Sequence, residues 1–454
     1  MPLLSKHQLS KSTFMYGCQC PKRLWLHKFM PQVRDEMSEG QAAIFQQGTD
    51  VGMLARELFP GGVDASPATN YDYQQSVADT ARYMQEGHSV IYEAAFQFEG
   101  ILCAIDIMVK QNEKWVAYEV KSSTKVKPTF VQDASLQYHV ITQSGIALSD
   151  IAIVHLNNEY VRQGPLDMQA LFSISSIWNE VIELQDFITE KIVELKKVLK
   201  LKKAPDIEMG AHCNNPYACD FMGFCSEGIE VEEPDYGEVN IDQDALKEFV
   251  GELEYPLYFM DFETWMAAVP EYDGHWPYRS VPFQFSVHKQ AHPNAAVEHF
   301  DYLAEGPESS QRDFAEQLMA VLGEQGSIVV YNIGFEKTRI RELICDFPHW
   351  EDALNTLNDR LVDLMRPFRS KHYYLPEMQG SYSIKKVLPA LVPSLSYEHL
   401  TINNGGDASS IFYNLRKEED AAKVKEIRAA LREYCGLDTW AMVKILEKIN
   451  EKLG

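Results

Sequence analysis

Residues 257–265 read LYFMDFETW, an apolar run that turns acidic at Asp261 and Glu263. Such a run predicts a strand over about 257–262. Side chains two apart on a strand share a face, so both carboxylates point the same way. Like charges held side by side repel, and the pair calls for a cation. Two later stretches extend the pattern. The segment 327–331 predicts a second strand, and YNIGFE at 331–336 runs from it through a short loop into a helix start near Phe335. Glu336 then sits near a helix N-terminus, where a carboxylate is favoured. YCGLD at 434–438 lies in a terminal helix predicted over about 418–453. The four-residue spacing puts Tyr434 and Asp438 on one face. Each piece alone is ordinary, since an Asp-x-Glu is commonly a solvated strand edge. Three in order, in these contexts, point to catalysis.

These stretches resemble the exonuclease motifs of the ribonuclease-H-like DEDD superfamily, which are Asp-x-Glu, Asn-x-x-Phe-Asp and Tyr-x-x-x-Asp. The resemblance covers roughly residues 255–454. It implies a 3′→5′ exonuclease in which Asp261, Glu263, Glu336 and Asp438 hold two Mg²⁺ or Mn²⁺ ions and Tyr434 orients the attacking water. Glu336 stands where the family usually has Asp. Asp363 is a second candidate for a supporting acid. Lys385 or Lys386, beside a Gly/Ser turn, is a candidate phosphate contact, and an ordinary surface helix start fits the same residues.

The N-terminal half carries a second acidic pattern. Segments 100–109 and 115–120 predict two strands joined by a QNEK turn. With Asn112 and Glu113 as the loop residues, Asp106 and Glu119 face each other, and Lys121 shares the face of Glu119. Two facing acids destabilise a sheet unless a cation binds. Two metal ligands and an ammonium thus converge; an exposed, salt-bridged strand is the plainer reading. The core resembles the PD-(D/E)xK nucleases, and Glu93 matches an additional acid of RecB-type members. Gln137 and Tyr138 stand where those members carry a Gln-x-x-x-Tyr motif.

Cys213, Cys219 and Cys225 are evenly spaced, and Cys20 lies far upstream. One early and three late cysteines bracketing such a core resemble the iron–sulfur RecB-like nucleases. The resemblance implies a 4Fe-4S cluster on these four residues, with a structural role. Thiolates also suit zinc, the alternative metal. Cys18 is the rival of Cys20, and His212 is a neighbouring donor.

The 454 residues suit two or three domains. The expected division is a RecB-like domain over 1–230, an acidic linker over 231–250 and a ribonuclease-H-like domain over 251–454. Both domains are expected to be α/β. Residues 1–90 predict mostly helix, 151–156 a strand and 173–201 one long amphipathic helix. No apolar run is long enough for a membrane span and no secretory signal is evident, so the expected location is cytoplasmic. Net charge is −24, with 20 Lys/Arg against 28 Asp/Glu in residues 1–230 and 22 against 38 in the rest. That balance argues against non-specific coating of DNA. The whole resembles a bacterial family in which these two nuclease modules are fused. The expected function is metal-dependent hydrolysis of nucleic acid, single-stranded DNA favoured and RNA the alternative, in DNA repair or defence. A nucleic-acid or partner-binding module with an inactive N-terminal site is the rival from another class.

Overall fold

The computed structural model describes residues 7–36, 39–69, 73–227, 235–308 and 311–454. The expected boundary at 230/231 lies outside them. Two compact units divide the chain: Met1–Glu230 with Ala267–Tyr278, and Val231–Met266 with Arg279–Gly454. Both are mixed α/β.

Unit 1 runs β1 (Leu9–Ser10), α1 (Lys11–Gln19), α2 (Pro21–Phe29), α3 (Glu39–Ala55), β2 (Val63–Asp64), α4 (Tyr73–Gln85), β3 (Val90–Phe98), β4 (Ile101–Gln111), β5 (Lys114–Lys121) and α5 (Pro128–Gln143). It continues with β6 (Leu148–Leu156), α6 (Met168–Leu171), β7 (Phe172–Ser176), α7 (Trp178–Glu183), α8 (Gln185–Val198) and α9 (Met222–Ser226). The sheet order is β2-β3-β4-β5-β6-β7, with β1 pairing β4. On one face Phe14, Ala134, Leu136, Ile188 and Leu195 bring α1, α5 and α8 onto Ile105, Ala117 and Ile153. On the other, Val51 and Ala55 of α3 cover Ile107, Val120 and Val154. Ala268, Val269 and Tyr278, from the segment 267–278, join this second core.

Unit 2 runs β8 (Asn240–Ile241), α10 (Gln243–Gly251), β9 (Leu257–Trp265), β10 (Val281–Gln290), β11 (Val297–Leu303), α11 (Gln311–Leu322), β12 (Ile328–Val330) and α12 (Ile333–Asp346). Then come α13 (Glu351–Asp359), β13 (Leu361–Asp363), α14 (Arg366–Arg369), β14 (Tyr373–Tyr374), α15 (Ile384–Leu391), α16 (Gly405–Asn414) and α17 (Ala421–Leu453). The five-stranded sheet has the order β11-β10-β9-β12-β13. β9, β12 and β13 are parallel, and the β10–β11 hairpin runs antiparallel beside β9. Tyr258, Met260 and Phe262 pack beneath α11, α12 and α13, while α16 and α17 cover the opposite face.

Several elements differ from expectation. The helix expected over 173–201 is strand β7 followed by two helices, because Ser173 to Ser176 complete the ladder along β6. β3 and the β10–β11 hairpin lie outside the expected strands. The expected linker is built structure from Asn240 onward. Asp242 caps α10 by accepting from Ala245 N, and Leu246 and Phe249 are buried.

Candidate active sites

In unit 2 the chain leaves β9 and β12 in opposite directions, to the β10–β11 hairpin on one side and to α12 and β13 on the other. Such a switch opens a crevice at the carboxyl ends of parallel strands. Here it is a cavity of about 190 Å³ whose lining includes Asp261, Glu263, Asn332, Glu336, Lys385, Tyr434 and Asp438. Asp261 and Glu263 come from β9 and lie opposite Ser286 and Gln284 of β10. Asn332 has a left-handed backbone, φ 86°, which Asn tolerates better than most residues. That turn starts α12 and carries Glu336 to the cavity. Glu336 is 1% exposed, and its Oε2 has no hydrogen-bond partner.

Tyr434 and Asp438 reach the same cavity from α17. Two neighbours complete the site. Tyr397, which sequence reasoning missed, donates its hydroxyl to Asp438 Oδ1 at 2.7 Å. Lys385 Nζ donates to Asn403 O at 2.5 Å and stands 5.5 and 5.4 Å from the ring centres of Tyr397 and Tyr434. Lys386 is tied elsewhere, to Gln379 Oε1 at 2.6 Å. Asp363 supports the turn rather than the cavity: its Oδ1 accepts from Asn332 N and Met365 N at 3.3 and 3.0 Å.

The electrostatics follow from burial and crowding. Burial, then repulsion from Asp438, Glu263 and Glu336, pushes the Asp261 carboxyl far up. Burial and Asp438 do the same to Glu263, against the pull of Lys385. Burial pushes Glu336 up to about 8. It pushes Asp438 up to about 6 despite the Tyr397 hydrogen bond and Lys385. Without a cation, all four acids bind protons more tightly than free carboxyls do.

In unit 1 the register places Glu93, Asp106 and Glu119 in one row across β3, β4 and β5. Tyr92↔Ile107 and Ala94↔Ile105 flank the first two, and Ile107↔Tyr118 is the rung next to the second and third. The row interrupts the sheet. Glu93 has φ 52°, a costly conformation for a residue with a side chain. Side-chain alternation slips there, so Ile91 and Ala94 face the same core. Asp106 accepts a hydrogen bond from Val120 N at 2.6 Å.

Glu119 is 2% exposed. Its Oε1 accepts from Lys121 Nζ and from Lys11 Nζ, each at 2.7 Å, and its Oε2 accepts from Gln137 Nε2 at 2.6 Å. Asp133 Oδ2 also pairs with Lys121, at 2.7 Å. Burial alone would raise the Glu119 carboxyl, but the two lysines hold it below the usual range. Burial and Glu119 push the Asp106 carboxyl up to about 8. Arg56 pairs with Glu93 at 3.4 Å and Asp64 at 2.7 Å. Gln137 therefore joins the site, whereas Tyr138 packs edge-on against Trp178. Lys11 and Asp133 are members that no local motif signals, because each comes from a helix.

Cys20, Cys213, Cys219 and Cys225 line one small pocket with Arg23, His212 and Phe221. Cys20 ends α1 and precedes Pro21, the first residue of α2. Gln19 donates to His212 O and Tyr217 O at 2.8 and 2.7 Å, which ties the early cysteine to the late loop. Cys18 packs against the sheet core instead, where burial pushes its thiol up to about 12. Among the described residues the one group of three His, Cys, Asp or Glu ligand atoms within 4.8 Å of one another is Asp261, Glu263 and Cys435. The four pocket thiols are therefore spread wider than that. Thiolates on one zinc, each about 2.3 Å from the metal in a tetrahedron, lie only about 3.8 Å apart.

A family model described as a domain of unknown function, DUF2779, matches residues 258–383. The match includes Asp261, Glu263 and Glu336 and stops short of Tyr434 and Asp438. A Mycoplasma pneumoniae protein described as an uncharacterized MG366 homolog is 29% identical over 215 residues, 42% of this chain and 32% of that protein. The aligned stretch thus spans about a third of the relative's length. Among the described residues no helix is long and apolar enough to cross a membrane.

Proposed function

We propose that this chain is a metal-dependent nuclease whose unit 2 is a 3′→5′ exonuclease acting on single-stranded DNA, in repair or defence. One observation carries the reading. Four carboxylates from β9, α12 and α17 line a single cavity, burial raises the proton affinity of each, and repulsion from neighbouring acids adds to it at Asp261 and Glu263. Buried acids are not gathered without counter-charge unless something neutralises them. The donor set fits hard divalent cations, which take carboxylate oxygens, and Glu336 Oε2 is left without a partner. Asp261, Glu263, Glu336 and Asp438 would hold two Mg²⁺ or Mn²⁺ ions, which supply charge stabilisation to the attacking and leaving oxygens of an in-line displacement. Tyr397 fixes the Asp438 carboxylate. The Tyr434 hydroxyl orients the attacking water. Lys385 offers a positive charge beside the phosphate. The water oxygen bonds to phosphorus, the bond from phosphorus to the 3′ oxygen breaks, and a proton passes to the leaving oxygen.

Unit 1 is read as a second, RecB-like PD-(D/E)xK nuclease site built on Glu93, Asp106, Glu119 and Lys121. Cys20, Cys213, Cys219 and Cys225 would hold a 4Fe-4S cluster. Four thiols in one pocket suit such a cluster, with a zinc ion as the alternative, and its place away from the carboxylates gives it a structural role.

The test uses anaerobically purified full-length protein with Mn²⁺ or Mg²⁺ and single-stranded DNA or RNA labelled at either end. Shortening from the 3′ end that disappears in Asp261→Ala and persists in Glu119→Ala supports the unit 2 reading. Cleavage lost only in Glu119→Ala assigns a separate activity to unit 1. Degradation of RNA alone replaces the DNA reading. Binding without any cleavage in the presence of metal overturns the nuclease.

A further inference from the structure

Two ammonium groups, not one, stand in the unit 1 site. We infer that Lys11 is a second active-site cation which takes the place of a second metal, so that unit 1 holds a single divalent ion between Glu93, Asp106 and Glu119. The inference rests on the nuclease reading of unit 1 and adds a residue and a stoichiometry to it.

The position of Lys11 is built. Leu9 and Ser10 pair in parallel with Ile101 and Leu102 of β4. Ser10 then caps α1 through a reciprocal pair of bonds with Thr13, a device that fixes where a helix starts. Lys11 is the first helical residue, and its Nζ lies 2.7 Å from Glu119 Oε1 and 3.7 Å from Asp133 Oδ2. Lys121 contacts the same two oxygens, both at 2.7 Å. With Gln137 on Oε2, Glu119 has no oxygen free of a donor. An ion that uses Oε1 must share it with the lysines or displace one of them. Lys121 is held closely by two carboxylates, whereas Lys11 is held closely by one.

Charge supports the same number. Asp64 and Glu93 pair with Arg56, Glu119 and Asp133 pair with Lys11 and Lys121, and Asp106 lies in the row between Glu93 and Glu119. With all five ionised, as binding of a cation requires, five carboxylates against three cations leave two negative charges, which one divalent ion balances. Asp133 Oδ1 and Gln137 Oε1 are buried without hydrogen-bond partners, so polar capacity remains for metal-bound water or substrate.

The experiment counts Mn²⁺ on the full-length chain by the loss of the free-ion electron paramagnetic resonance signal. Unit 2 is silenced by Asp261→Asn, Glu263→Gln and Asp438→Asn. The ions of interest are those removed by adding Glu119→Gln. One such ion is expected. Adding Lys11→Met in place of Glu119→Gln is expected to admit a second ion, or to tighten the first by on the order of tenfold, because a cation in contact with the ligand oxygen is gone. Lys11→Arg keeps the charge and is expected to keep the single ion at near-original affinity, which separates loss of charge from loss of fold. Two ions with Lys11 in place, or an unchanged number and affinity after Lys11→Met, overturn the inference and leave the nuclease reading intact. No Glu119-dependent ion at all overturns the reading of unit 1 as a metal site, and the inference with it.

Discussion

Asp438 carries the conflict of the unit 2 cavity in one side chain: buried among other acids, it keeps a hydrogen bond from Tyr397 and a lysine nearby and still binds its proton too tightly. The consequence for stability has a definite sign. Unfolded carboxyls titrate near pH 4, whereas the folded, metal-free values are about 6 for Asp438 and about 8 for Glu336. A raised folded value gives stability that is complete at low pH and lost as pH rises through the folded value. In EDTA the melting midpoint is therefore expected to fall between about pH 5 and pH 8, at roughly 1.4 kcal/mol per pH unit for each group in transition. Mn²⁺ should restore it at pH 8 more than at pH 5. Differential scanning fluorimetry decides; a flat or rising midpoint in EDTA would remove the case for a repelling cluster. Tyr397→Phe deletes one bond to a charged acceptor, about 1.5–3 kcal/mol. It should slow single-turnover 3′ cleavage by on the order of ten- to a hundredfold. An unchanged rate would leave Tyr397 as packing. Asp261, Glu263 and Asp438 were legible because each sits in a short motif with its own periodicity. Tyr397 and Lys11 were not, because they reach their acids from 41 and 108 residues away and no local pattern marks them.

The β4–β5 hairpin is the element whose turn and register the sequence revealed most fully. Gln111 pairs with Lys114, so Asn112 and Glu113 are the loop, and both have positive φ, 47° and 64°. A two-residue loop of that kind favours Asn-Gly, and Glu113 has a Cβ where glycine is preferred. Glu113→Gly is expected to stabilise the protein by about 0.5–1 kcal/mol, read as a higher midpoint in urea with an unchanged slope. A loss of stability would mean that the Glu113 pair with Lys110 at 3.0 Å outweighs the backbone. Other elements were hidden for identifiable reasons. FSISS at 172–176 alternates small polar and apolar residues and continues into a helical pattern. Only β6, an available strand edge, makes it a strand, and tertiary pairing overrides local preference in this way. α10 was masked by its acidic surroundings, since its buried residues are two in a stretch that otherwise reads as solvated chain. The break at Glu93 is invisible to pattern reading because a left-handed residue leaves no compositional trace unless it is Gly or Asn.

At the scale of the whole molecule, charge constrains how nucleic acid can be held at all. The chain carries −24, and neither half is basic. Proteins that bind nucleic acid through phosphate contacts release counterions as Lys and Arg replace them, and their affinity falls steeply with salt. An acidic chain with few such contacts must obtain attraction elsewhere. On the nuclease reading the source is the same in both sites, because divalent ions would cancel the charge of the carboxylates and offer coordination positions that a phosphate oxygen can take. Binding of single-stranded DNA should therefore depend on metal. With Ca²⁺, a divalent ion expected to support binding with little turnover, fluorescence anisotropy should report a complex that EDTA abolishes. Its dependence on monovalent salt should be shallow, of the order of one or two phosphate contacts. Neutralising unit 2 with Asp261→Asn and Asp438→Asn should weaken the Ca²⁺-dependent complex about tenfold or more if that cavity receives the 3′ end. Tight binding in EDTA with a steep salt slope would place the affinity on a basic surface instead. The two sites would then need a separate explanation for their buried acids, and the binding-module reading would become the better account of the whole chain.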